Sequence, residues 1–397
     1  MSHFLFIFTF LAIYGGIHAY AYSKVQSAFH LTSVAQAVLL MLMALMVSAP
    51  ILIHLLNKRG LTITARFAAY LGFTWMGFLF LFFSIFLAAD LYNLLARLVG
   101  TVFRYDSAQF ALAGRSSFFL LALLVVAVGC YSIFDAQRIR TERVVLTTSK
   151  LPEGVKRVTM VQITDVHLSP LVSRQFLEKL IGVIRDAGPD ILVSTGDLVD
   201  MEISQIMDMA DLFQEIKPRY GKFAIMGNHD FYAGIDAAMD FTTRAGFRVL
   251  RGEGITVAGI LNMAGVDDHA DARFGQTTVR RTEREILASL PQGPFTVFLK
   301  HRPDVMEDST GLFDLQLSGH THGGQIFPFT WIIHFFYPMQ NGLYTLPPHC
   351  YLYTNTGAGT WGPPMRFLAP PRITVIEINN TEPEAHYFRL PGTGSYR

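Results

Sequence analysis

The sequence predicts two unlike halves: an all-α region of about four transmembrane helices over residues 1–150, then an α/β domain over residues 151–397. Three observations lead there. Charged residues are only 16% of the 397, and the apolar surplus this leaves is concentrated before residue 140. Beyond that point, short β-branched runs alternate with segments that are apolar at helical spacing, the pattern of strands and helices in layers. Five of those runs end directly in Asp, Asn or His.

The apolar stretches cover residues 4–22, 34–56, 67–87 and 118–134. Each approaches or exceeds the ~18–20 residues that a helix needs to cross a hydrocarbon core. A cleavable signal peptide is the alternative for the first, but "MSHFLF" has no basic residue and three more apolar runs follow, so a retained anchor is expected. With four spans, Lys58, Arg59, Arg66, Arg138, Arg140, Arg143 and Lys150 fall on one side, against Lys24, Arg97, Arg104 and Arg115 on the other. That bias makes a multi-pass cell-membrane protein with a cytoplasmic C-terminal domain the expectation. No Asp, Glu, Lys or Arg lies within a span, and Asp90 falls just past the third. A transporter is thereby disfavoured, since ion paths need such groups.

In the second half, "RVTMVQIT" leads to Asp165-Val166-His167 and "DILVST" to Gly196-Asp197. "KFAIM" leads to Gly227-Asn228-His229-Asp230, "FTVFLK" to His301, and "LQLS" to Gly319-His320-Thr321-His322-Gly323-Gly324. Taken singly these are ordinary turn formers and caps. Together they put metal-ligand side chains at five successive strand ends, where α/β sheets bind ligands. Oxygen and imidazole donors without thiolate suit Mn²⁺, Fe²⁺ or Zn²⁺. Cys130 and Cys350 offer neither a disulfide framework nor a thiolate site. Asp165, His167, Asp197, Asn228, His301, His320 and His322 are too many ligands for one tetrahedral ion and enough for two divalent ions. With two carboxylates against two such ions, the site keeps positive charge for an anionic substrate. A net charge of +1 offers no bulk attraction for nucleic acid.

The blocks "DVH", "GD", "GNHD", "KH" and "GHTH", in that order, resemble the calcineurin-like metallophosphoesterases, in the branch with an N-terminal multi-span membrane region. The resemblance covers about residues 155–380. It implies a four-layer sandwich, two mixed sheets flanked by helices, and two metal ions, with Mn²⁺ preferred over Fe²⁺ or Zn²⁺. On the family's pattern, Asp165, His167 and His322 hold one ion, Asn228, His301 and His320 the other, and Asp197 bridges them. His229 then serves as catalytic acid, oriented by Asp230, while a hydroxide shared by the ions attacks phosphorus. Arg366, in "GAGTWGPPMR", is expected to contact phosphate, with a structural ion pair as the alternative. Asp267 and Asp268 read as structural.

The aromatic segment "IFPFTWIIHFFYPMQNGLY" after the glycines is either core or an interfacial patch in which Trp331, Phe335, Phe336 and Tyr337 meet membrane lipids. The expected substrate is accordingly a phosphorylated small molecule or lipid, with a phospholipid or nucleotide-linked lipid favoured; no obligate protein partner is implied. The competing readings are a tethered phosphodiesterase acting on soluble substrates and a non-catalytic membrane sensor or scaffold.

Overall fold

The computed structural model describes residues 3–270 and 281–381. The chain divides into two compact units: residues up to 134 together with 362–365, and residues 135–361 together with those from 366 onward.

The first unit holds four helices, α1 (His3–Phe29), α2 (Ser33–Lys58), α3 (Thr62–Phe103) and α4 (Gly114–Asp135). Among the described residues three stretches are long and apolar enough to cross a membrane: Ser33–Lys58, Thr62–Phe103 and Ala108–Asp135. The fourth expected span falls on α1, whose first side chains lie partly outside the described residues. Tyr14 and Ala21 of α1 pack with Met43 of α2 and Leu79 of α3. Polar groups are paired across helices, which limits their cost in an apolar setting: Trp75 Nε1 donates to His18 Nε2 at 3.0 Å, and Tyr20 and Lys24 both donate to Asp90. The third helix is much longer than the run 67–87 that announces it, so Asp90 sits inside α3 rather than past its end.

The second unit contains two six-stranded mixed sheets. One runs β1 (Arg140–Thr148), β12 (Arg372–Asn380), β2 (Arg157–Ile163), β3 (Ile191–Ser194), β4 (Lys222–Ala224), β5 (Arg248–Val249). The other runs β10 (Gly342–Leu346), β11 (Cys350–Thr354), β9 (Leu315–Ser318), β8 (Thr296–Leu299), β7 (Leu261–Gly265), β6 (Glu253–Val257). From β2 to β5 and from β7 to β9 the neighbours are parallel. Such strands are covered on both faces and therefore read as unbroken apolar runs. Alternation assigns the faces. Val158 and Met160 of β2, Ile191 and Val193 of β3, and Leu315 and Leu317 of β9 meet between the sheets, while Val161 and Ile163 point outward to the helices.

The outer face of the first sheet is covered by α5 (Arg174–Asp186), α6 (Ala210–Phe213) and α8 (Ile235–Arg244), and that of the second by α9 (Glu283–Ala288). Four layers result. In α5 the residues Leu177, Leu180, Ile181 and Ile184 are buried at helical spacing, and Ser173 caps its N-terminus by accepting from Phe176 N. Each such side chain contributes roughly 1.5–3 kcal/mol. The α/β unit begins at Asp135, earlier than the expected boundary near 150, because "RTERVVLTT" forms β1 and pairs in parallel with β12.

Candidate dinuclear metal centre

The C-terminal ends of β2, β3, β4, β8 and β9 bring the seven expected ligands together. The chain turns abruptly as each strand stops. Asp165, His167, Asp197, His320 and His322 all lie in the left-handed region, with φ between 50° and 72°. Residues with a Cβ pay for that conformation, and such strain clusters where side chains must be aimed. Gly227 answers a different need: a Cβ there would come within 2.2 Å of Asp197 Oδ1. Its loop therefore passes directly over the carboxylate.

Two sets of ligand atoms form around Asp197. Asp165, His167 and His322 form one group, all buried, and Asp197, His301 and the half-buried His320 another, each with its ligand atoms within 4.8 Å of one another. In the first, His167 Nε2 lies 3.0 Å from His322 Nε2, which is 3.5 Å from Asp165 Oδ1. In the second, His301 Nε2 lies 3.2 Å from Asn228 Oδ1 and 3.3 Å from His320 Nδ1. Asp197 Oδ2 faces both, 3.2 Å from His301 Nε2 and 3.8 Å from His167 Nε2. Its other oxygen accepts His229 N–H at 2.8 Å. One oxygen is thus anchored and the other is shared. Hard and borderline donors in two adjoining sets around a shared carboxylate fit two divalent ions.

Hydrogen bonds and charge prepare the imidazoles. His301 Nδ1 donates to Thr195 O at 2.8 Å, which turns Nε2 toward Asn228 and Asp197. Burial, then the charges of His301 and Arg302, bring His320 down to about 3, which favours the neutral imidazole that a metal ligand needs. Burial and the Arg366 guanidinium likewise hold His322 well below its usual value. Burial opposes charge on His301, but the carboxylates of Asp197, Asp165 and Asp268 prevail and raise it to about 10. The same negative field attracts a cation. Burial also opposes charge on Asp197, yet His301 and His229 keep its carboxyl well below the usual range.

Two expectations are corrected. Asp230 does not orient His229: its oxygens accept the backbone N–H groups of Asp197, Gly227 and Val199 at 2.9, 2.8 and 3.2 Å. It ties the "GD" turn to the "GNHD" turn. The carboxylate beside His229 is Asp200, whose Oδ1 is 3.4 Å from Nδ1. Arg366 does not face a phosphate. Fully buried, it donates to the carbonyls of His322, Thr356, Gly359 and Ala369, and its Nη2 lies 3.0 Å from His322 Nδ1. A guanidinium that spends its donors on backbone acts as a strut behind a ligand.

Groups outside the motifs complete the surroundings. Arg302 forms a two-point ion pair with Asp268 and donates to Tyr337 Oη at 3.2 Å, and that oxygen is 3.2 Å from His320 Nε2. The rings of Tyr232 and Trp361 stand 5.2 and 5.4 Å from the His229 ring. Asp200 carries no sequence signal; Tyr337, grouped by the sequence with the lipid-facing aromatics, turns instead to His320, and the second Asp of "GVDD" is visible in the sequence while its partner Arg302 is not.

A fold of two mixed sheets with paired ligand sets at their strand ends defines a metal-dependent phosphoesterase, and the comparisons agree. Residues 158–324 match the family described as calcineurin-like phosphoesterase. An uncharacterized metallophosphoesterase of Aquifex aeolicus (strain VF5) is 37% identical over 256 residues, 64% of this chain and 97% of that protein. The chain belongs to the calcineurin-like metallophosphoesterases. A Danio rerio protein named transmembrane protein with metallophosphoesterase domain is 30% identical over 302 residues, 72% of this chain and 69% of that one. Among solved structures, a putative 5'-nucleotidase from Staphylococcus aureus matches with a TM-score of 0.34 and 12% identity, over 51% of this chain and 49% of that one.

Proposed function

We propose that this protein is a membrane-anchored dinuclear phosphohydrolase that cleaves a phosphoester or pyrophosphate bond in a lipid-linked substrate, a phospholipid or nucleotide-linked lipid. The observation that carries the hydrolytic reading is Asp197 Oδ2 lying between two ligand sets. Asp165, His167 and His322 would hold one ion and Asn228, His301 and His320 the other; these oxygen and imidazole donors suit Mn²⁺, Fe²⁺ or Zn²⁺, and Mn²⁺ is the ion we propose. When bound, such ions supply a hydroxide nucleophile at neutral pH and neutralise phosphoryl charge.

The chain's own residues do the rest. Asp200 holds His229 at Nδ1, which leaves Nε2 to hand a proton to the departing oxygen. Burial works against charge on His229, but Asp197 and Asp200 outweigh it and raise the imidazole above its usual value, as an acid requires. Asp230 keeps the two turns in register, and Arg366 and Tyr337 hold His322 and His320 from behind. The lipid preference is supported by the apolar spans and by the exposed aromatic residues beside the site. The excess of basic residues on one side of the spans supports a cytoplasmic catalytic domain, and protease accessibility in sealed vesicles tests it.

The test is hydrolysis by the purified full chain with Mn²⁺ of an aryl phosphodiester, a panel of lipid pyrophosphates and phospholipids, and soluble nucleotides, beside Asp197→Ala and His229→Ala. Turnover of lipid substrates that both variants lose supports the reading. Turnover confined to soluble esters leaves a tethered broad-specificity phosphodiesterase. Equal background in all three proteins leaves a sensor or scaffold.

A further inference from the structure

Directly after the ligand loop, residues Phe329–Phe336 form a helix, α10, in which no residue is buried. Its outward side carries Trp331 and Ile332 and, four residues on from each, Phe335 and Phe336. Phe335 is 82% and Trp331 69% exposed. Monomeric proteins seldom leave so contiguous an aromatic face to water, and large exposed apolar patches mark interaction sites. The inward stripe is Thr330, Ile333 and Tyr337, spaced for one helix face. Both ends of that stripe grip the metal loop: Thr330 Oγ1 donates to Gly323 O at 3.0 Å, and Tyr337 Oη is 3.2 Å from His320 Nε2. Gly324 permits this seating, since a Cβ there would lie 2.4 Å from Thr330 Cα. The face that looks away from the protein is thus attached to the ligands themselves.

What covers this face follows from the rest of the chain. Among the described residues three helices are apolar and long enough to cross a bilayer, and only residues 136–139 separate the end of α4 from β1. A short covalent tether keeps the domain at high effective concentration near a lipid surface. Trp and Phe on a short helix are the side chains that settle at the headgroup boundary.

We propose that α10 is a lipid-docking helix, seated in the bilayer surface through Trp331, Ile332, Phe335 and Phe336, which sets the mouth of the metal centre against the headgroup layer. The docking stands without catalysis; the delivery of a lipid phosphate to the metals rests on the phosphohydrolase reading.

The test uses the full chain reconstituted in phosphatidylcholine vesicles with and without acyl-chain bromination. The Trp331 share of the fluorescence is obtained by difference from Trp331→Phe, an exposed and conservative change. Docking predicts that brominated lipid quenches the Trp331 share about twofold or more. It also predicts that Phe335→Asp lowers turnover of a bilayer-borne phosphoester relative to a soluble aryl phosphodiester by about tenfold. An unquenched Trp331 overturns the proposal, as does an equal loss on both substrates. So does a Trp331 shielded by a second copy, seen as an oligomer that Phe335→Asp dissociates in detergent. Should the wild type hydrolyse neither ester, the catalytic reading fails while the quenching result still decides docking.

Discussion

An imidazole serves as acid or ligand only when its second nitrogen is held, and three histidines here are held by three different groups. Thr195 O takes the Nδ1 proton of His301, Asp200 faces Nδ1 of His229, and Arg366 lies against Nδ1 of His322. Asp200→Asn removes one of the two carboxylate charges, after that of Asp197, that stabilise the His229 imidazolium. The expected outcome is a fall in kcat of about a hundredfold with the bound metal, measured by elemental analysis, unchanged. Arg366→Ala strands several buried carbonyls and opens a cavity. It is expected to cost about 3–5 kcal/mol, read as a lower Tm, and to reduce metal occupancy. A phosphate-binding Arg366 would instead raise KM and leave Tm alone, so the two measurements separate the roles.

The elements that matter most are strand ends and the helix that follows them. The five ligand blocks were legible because parallel strands buried on both faces leave unbroken apolar runs, and chemistry starts where the runs stop. The rest was not legible for equally physical reasons. β1 is stabilised by pairing with β12 across more than two hundred residues of chain, and its own composition, "RTERVVLTT", reads as a polar connector. Asp200 and Tyr337 act through tertiary approach, which no local spacing announces. "TWIIHFF" declared its hydrophobicity but not that Thr330, Ile333 and Tyr337 would turn inward. In "GHTHGGQ" the spacing does not announce that Gly324 makes room for Thr330. Its φ of 79° adds a second penalty for any side chain. Gly324→Ala is therefore expected to displace α10. Steady-state Trp331 emission should shift, and kcat should drop about tenfold or more; a variant with wild-type emission and rate would remove α10 from the account.

Over the whole molecule, a helical unit with three helices fit to cross a membrane is joined to a catalytic unit of known family. Among the described residues the candidate metal-ligand groups all lie in the second unit. There two sheets aim their parallel strand ends at one point, and Gln162 links them by donating to Thr195 Oγ1 and Ser318 O at 2.9 and 3.0 Å. The central claim is that this convergence builds a site for two ions around one shared carboxylate. Its most direct test follows aryl phosphodiester hydrolysis by the full chain in detergent as Mn²⁺ is added after chelator treatment, with bound metal measured at each step. The account predicts that activity appears as the second equivalent binds, and that Asp197→Ala neither retains two ions nor turns over. Full activity with one ion or none, or an Asp197→Ala protein that behaves as wild type, would contradict it.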